Sequence, residues 1–336
     1  MRLTQISESS FDKFGRLAFW SELKQGWVLV SDLMRFDDDS DASYICLSEV
    51  LDWTAFQKMF ANSQPEDEYV PEEEDEDGVF SANNERFLTL SLLQQKIDEF
   101  ERSGDDVVAV YRPGVDSSRF AQLFSSTEKI LCVGLNYADH AREFGDPLPE
   151  EPVIFNKAPS ALNFCGEGIV IPSVSKRVDY EGELVVVIGQ EGRDIPEDCA
   201  MDYVAGYCCG NDVSARDWQK DKPAGQWFLG KSFDTFAVVG PCFVTSDEVG
   251  DPNNLKIETR LNGQTMQSSN TDRFIFRIER LISYLSQVMT LKVGDLIFTG
   301  TPNGVGDARR PPVYLKRGDE IVVEIEKVGV LTNPIE

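Results

Sequence analysis

Histidine occurs once in this chain of 336 residues, at position 140. That scarcity excludes whole classes of site. A two-histidine zinc motif, a multi-histidine metal centre and a relay of two imidazoles all need a second ring. The seven cysteines, at 46, 132, 165, 199, 208, 209 and 242, contain no C-x-x-C pair and are odd in number. They stand among apolar neighbours, so they read as reduced core thiols of an intracellular protein, not as a disulfide framework. Long apolar runs are absent, and so is a signal-peptide pattern. A cytoplasmic protein with no membrane span is the expectation. Positive charge is scarce: 32 Lys and Arg face 58 Asp and Glu, for a formal net charge of −26. Such a balance disfavours nucleic acid and anionic membrane as partners. There is no internal repeat and no G-x-S-x-G elbow, so a serine hydrolase would have to recruit His140 without other support.

What is present divides into two parts. The length suggests two domains of unequal size. Residues 1–128 read as a small N-terminal domain with β-like runs (RLTQI, RLAFW, GWVLVSDL) and helices at 47–61 and 91–104. Nine acidic residues between Glu66 and Asp77 repel one another too strongly to compact, so 66–77 reads as a solvated insert. Residues 129–336 form the second domain, where strand signals outnumber helix signals. It carries a buried strand at 129–137, a hairpin around Asn262-Gly263, an amphipathic helix over 275–289 and a closing hairpin at 318–335. The fold class is therefore mostly β with some helix, α+β.

The chemistry-bearing stretch is VDYEGELVVVIG followed by GYCCGNDVSARD, residues 178–217. On a strand, Glu181 and Glu183 share one face. Adjacent carboxylates repel unless a cation sits between them. Asp212, closing a second apolar run, adds a third hard oxygen ligand of the kind Mg²⁺ or Mn²⁺ prefers. E-x-E alone is more often a solvated strand face, but the apolar flanks argue for burial, which makes unpaired carboxylates costly. His140 and Glu143, three apart, would share a face of one helical turn and could act as a base and the carboxylate that orients it. Lys157 and Ser160 fall in a polar gap between apolar residues. Residues 225–232 match the phosphate-loop pattern G-x-x-x-x-G-K-[ST], but no strand precedes them and no helix-forming run follows, so that reading is rejected. Lys231, between Phe228 and Phe233, could instead steady a developing enolate, or simply snorkel at the surface. The turn Thr299–Gly306 offers hydroxyls and amides that could cradle a carboxylate, though an ordinary tight turn has the same composition.

Taken in order, CVGLNYADHAREFG, PVIFNKAPSA, VDYEGELVVVIG, GYCCGNDVSARDWQ, QWFLGKSFDTF, NGQTMQSSNT, GDLIFTGTPNGVG and PPVYLKRGDEIVVEIEKVGV resemble the fumarylacetoacetate hydrolase superfamily over roughly residues 129–335. The resemblance implies a mixed β-sandwich roll, a homodimer and one divalent metal, Mg²⁺ or Mn²⁺, per active site. It implies that Glu181, Glu183 and Asp212 hold the metal and that His140 and Glu143 form the acid–base pair. Lys231 would meet the enolate oxygen, Thr301 the substrate carboxylate, and Arg216 and Gln219 would help build the pocket. Some single-domain members carry an arginine where this chain has Leu135. The expected activity is C–C hydrolysis of a small 2-oxo or β-diketo acid, of the acylpyruvate or fumarylacetoacetate type, through an enolate stabilised by the metal. Oxaloacetate keto–enol tautomerisation or decarboxylation is the alternative, and a non-catalytic metal-binding scaffold is the alternative from another class.

Overall fold

The computed structural model describes residues 127–144 and 148–336. Before them it describes 1–7, 16–21, 26–29, 81–82, 85–86, 90–103 and 119–120, with Leu51 and Phe124. The helix expected at 47–61 (Leu51 apart) and the acidic insert 66–77 lie outside the described residues.

The continuous apolar run LVVVI explains the centre of the molecule. A strand covered on one face alternates, whereas one covered on both reads as unbroken hydrophobics. Gly182–Ile188 is such a strand, buried at every position. Val204–Asp212 pairs with it antiparallel, and Ala237–Thr245 with that in turn. On the other side come Leu296–Phe298, Ile130–Gly134 and the edge strand Val153–Lys157. The three N-terminal strands, Arg2–Ser7, Arg16–Ser21 and Gly26–Leu29, form a meander that continues this sheet through Ala237–Thr245. A second, four-stranded sheet holds the two expected hairpins, Lys256–Leu261 with Gln264–Asn270 and Glu320–Ile325 with Gly329–Pro334. Asn262 and Gly263 both take positive φ, +50° and +76°, as a two-residue hairpin turn requires.

Alternation then sorts the core. Leu184, Val186 and Ile188 face the four-stranded sheet and meet Ile257, Val323 and Leu331. Val185 and Val187 face the other way, toward Leu3, Leu93, Ile97 and Phe298. Leu93 and Ile97 belong to the helix Leu90–Ser103, which covers that face. Each such side chain is worth roughly 1.5–3 kcal/mol once buried.

The helix expected over 275–289 runs from Ile278 to Val288. It starts late because Asn136 engages the preceding amides: Ile275 N donates to the Asn136 carbonyl and Phe276 N to its Oδ1, both at 2.8 Å.

One long-range contact reveals the shape of the main sheet. Lys157 sits four strands away from Asp212, a flat distance of about 19 Å at the usual strand spacing. Yet the Lys157 ammonium bonds the Asp212 carboxylate directly. The sheet must curl to allow this, which is the roll that the resemblance implies.

Candidate active site

The curl gathers the ends of several strands into one place. Glu183 lies at the start of its strand with Glu181 just before it, and Asp212 at the end of the antiparallel neighbour, where Asp212 N donates to the Glu181 carbonyl at 2.9 Å. One ligand oxygen from each of the three lies within 4.8 Å of the others. All three side chains are buried.

Burial of three carboxylates together demands positive charge, and the chain supplies part of it. Lys231 Nζ stands 2.7 Å from both Glu181 Oε2 and Asp212 Oδ2. Lys157, fully buried, bonds Asp212 Oδ1 and the Val213 carbonyl. Arg216 Nη2 lies 2.7 Å from Glu181 Oε1. Burial works against the Glu181 charge, but Lys231 and Arg216 outweigh it and hold that carboxyl below the usual range. Glu183 is treated differently. Its Oε2 accepts a bond from Gly300 N at 2.8 Å. Burial, then the neighbouring Asp212 and Glu181 charges, push its carboxyl well above the usual range. An under-compensated buried carboxylate at the edge of an all-oxygen cluster fits a hard divalent cation.

The glycine-rich turn does cradle carboxylates, but they are the chain's own. Gly300 N serves Glu183, Gly304 N serves both oxygens of Glu143 at 3.1 Å, and Gly306 N serves Asp179 at 2.7 Å. Thr301 spends its hydroxyl on the Gly182 carbonyl (2.9 Å) and accepts from Gln267 Nε2 (2.8 Å), while still lining the adjacent cavity.

His140 and Glu143 lie on the helix Ala138–Phe144, two turns where one was expected. His140 is buried, with Nδ1 3.4 Å from Glu143 Oε2. The helix brings His140 to the wall of a cavity of about 120 Å³. That is room for about four water molecules, and so for a small substrate. Glu181, Arg216, Gln219, Lys231 and Thr301 line the same cavity. Every expected site residue except Glu143, Glu183 and Asp212 therefore borders it, and those three sit one contact behind.

Residues 129–336 match the fumarylacetoacetate hydrolase C-terminal family model. The chain belongs to the fumarylacetoacetate hydrolase family. It is 48% identical over 271 residues to the mitochondrial oxaloacetate tautomerase FAHD2A of Bos taurus, covering 77% of this chain and 86% of the bovine one. A solved fumarylacetoacetate hydrolase from Exiguobacterium antarcticum is 30% identical, with a TM-score of 0.72 over 100% of this chain and 99% of that one. Fumarylpyruvate hydrolase from Pseudomonas aeruginosa, solved with Mn²⁺ and pyruvate, is 34% identical, with a TM-score of 0.57 over 69% of this chain and 92% of that one. These relatives are enzymes, and the Pseudomonas one is solved with a divalent metal. This chain is an enzyme of that superfamily, and the scaffold alternative falls.

Three expectations need correction. The cytoplasmic setting is overturned by the mitochondrial relatives. Thiols that read as reduced do not separate one reducing compartment from another. Lys231 is neither at the surface nor packed on Phe228, which is exposed. It is buried with its ammonium 4.9 Å from the Phe155 ring. The rejection of the phosphate-loop pattern stands, since Trp227–Lys231 is a short helix, which a phosphate-cradling loop cannot be. Cys199 is exposed, unlike the other described cysteines.

Sequence reasoning missed Asp179. It is wholly buried and accepts bonds from Gly306 N, Asp307 N and the Arg216 guanidinium. Its signal was available, since Asp179, Glu181 and Glu183 follow the same alternation. Lys157 was noticed as polar, but its partner depends on the curl of the sheet.

Proposed function

We propose that this enzyme is an oxaloacetate keto–enol tautomerase dependent on Mg²⁺ or Mn²⁺. The observation that carries the reading is the placement of the one histidine, backed by Glu143, on the wall of a small cavity shared with Glu181 and Lys231. The 48% identity to the bovine tautomerase favours this chemistry over C–C hydrolysis. A divalent cation held by Glu181, Glu183 and Asp212 would supply Lewis-acid stabilisation of negative charge on the substrate oxygens.

The chain's own residues account for the rest. His140, its Nδ1 turned to Glu143, uses the other ring nitrogen to hold and move one proton. The enol O–H proton leaves oxygen, C3 gains a proton, and the double bond passes from C2–C3 to C2–O, so the composition is unchanged. Lys231 holds positive charge beside the oxygen where negative charge develops. Arg216 and Gln219 shape the pocket, and Thr301 faces the 1-carboxylate. Residues 129–336 form the catalytic domain behind the smaller 1–128, and the enzyme works as a homodimer, which sedimentation would test.

Hydrolysis of an acylpyruvate is the second reading, favoured by the likeness to fumarylpyruvate hydrolase. The deciding experiment follows decay of enol-oxaloacetate and cleavage of acetylpyruvate, with chelator and with Mg²⁺ or Mn²⁺ restored. Metal-dependent ketonisation well above the rate with free metal alone is expected. Cleavage of acetylpyruvate without ketonisation would replace this reading with the hydrolytic one.

A further inference from the structure

Three cations line the cavity: Arg216, Lys220 and Lys231. Two of them are committed. The Arg216 side chain is 3% exposed and the Lys231 side chain 2%, each in contact with two buried carboxylates. Withdrawing either toward a ligand would strand those carboxylates in a low-dielectric interior.

Lys220 differs. Its side chain is 38% exposed and its Nζ lies 2.8 Å from Asp307 Oδ2. Asp307 would keep compensation without it, because Arg177 Nη2 at 3.0 Å and the Tyr314 hydroxyl at 2.5 Å bond its other oxygen, Oδ1. A partly exposed ion pair of this kind is weak and exchanges partners cheaply. Lys220 is thus the one lining cation that can turn to a ligand without leaving a buried acid uncompensated.

A dianionic ligand needs such a cation here. The chain carries a net charge of −26, which repels it at a distance. Val133, Leu135, Phe155 and Trp227 give the cavity apolar wall, which offers a second carboxylate nothing. We infer that Lys220 is the specificity-determining residue that binds the second carboxylate of a four-carbon 2-oxo diacid, exchanging Asp307 for the substrate. This rests on the tautomerase reading, and it adds how the diacid would be told from a monoacid.

The test compares wild type, Lys220→Met and Lys220→Arg on two acids that differ only in the second carboxylate, oxaloacetate and 2-oxobutanoate. Binding is read by calorimetry with Mg²⁺ saturating, alongside KM and kcat for enol-oxaloacetate. Losing a charge-assisted bond should weaken oxaloacetate binding by about tenfold in Lys220→Met. The same variant should bind 2-oxobutanoate as wild type does, with the kinetic loss in KM and not in kcat. Lys220→Arg should recover most of the difference, and melting temperatures should agree. Equal weakening for both acids, or no weakening for either, would overturn the assignment. If wild type fails to ketonise enol-oxaloacetate, the tautomerase reading fails by itself, and the calorimetric contrast between the two acids still decides the role of Lys220.

Discussion

Glu183 and Asp212 belong to one carboxylate cluster, but removing them should have opposite effects on the fold. Asp212 neutralises two fully buried lysines, Lys157 and Lys231. Asp212→Ala should abolish divalent-ion binding and also destabilise the metal-free protein by about 3–5 kcal/mol, the range for breaking a buried pair. Glu183 has a backbone amide as its partner and two like charges as neighbours. Glu183→Gln should therefore leave the chelator-treated protein as stable as wild type or more so, while weakening Mg²⁺ affinity about tenfold or more. Denaturant titration with chelator, paired with calorimetric Mg²⁺ titration, checks both. A large loss of stability in Glu183→Gln would remove the charge argument. His140 tests the proton-transfer assignment. His140→Gln should lower kcat by about 10²–10⁴-fold with Mg²⁺ affinity unchanged, because the residue is assigned to moving a proton and not to coordination. Glu143→Gln should lose less, and the double variant about as much as the histidine change alone. Full activity in His140→Gln would take the pair out of the mechanism.

The turn from Thr299 to Asp307 is the element on which the site hangs, since its amides fix Glu183, Glu143 and Asp179 at once. Gly304 is the tightest of its glycines with positive φ. Its φ is +104°, and an added Cβ would stand 2.2 Å from the Met266 carbonyl oxygen. Gly304→Ala should cost about 1–3 kcal/mol from the backbone conformation alone, more from the clash, and lower kcat by loosening Glu143. Gly318→Ala is the matched control: φ is +88° but nothing lies within 4 Å, so only the backbone cost remains and kcat should hold. Thermal melting and turnover of the two variants separate clash from strain. This turn also marks how far the site was legible. Glycine and threonine spacing announced an anion cradle, and strand alternation brought Glu181 and Glu183 to one face. The occupants of the cradle were not legible, because Glu143 is 161 residues from Gly304 in sequence and Asp179 is 127 from Gly306. The hairpin around Asn262-Gly263 was readable because a two-residue turn fixes its own register. The start of the helix at Ile278 was not, because a distant asparagine sets it.

Across the whole molecule, buried thiols link stability to alkaline pH. Burial pushes the Cys165 thiol up to about 11 and the Cys242 thiol up to about 12. An unfolded cysteine titrates near 8.5. Below that value both states keep the proton and the full stability is present. Above it the unfolded chain ionises while the folded thiols do not, so stability falls until the pH passes the folded values. Each thiol should contribute a slope of about 1.4 kcal/mol per pH unit in that window. Cys208 and Cys209, also buried and raised, should steepen it. Tyr180 and Tyr207 are raised as well, but an unfolded tyrosine titrates near 10, so they add little between about pH 8.5 and 10. Denaturant titrations across that window, with chelator present, should show a falling stability whose slope is shallower by about one thiol's share in Cys165→Ala and again in Cys242→Ala. Both variants should lose some stability at neutral pH from the vacated volume, so the slope and not the height is the readout. An identical slope in wild type and both variants would mean that these thiols ionise as readily folded as unfolded. The curled sheet would then admit water to the core layer between its central strands and the hairpin Glu320–Pro334, where Cys209 and Cys242 bond the Gly329 and Val328 carbonyls.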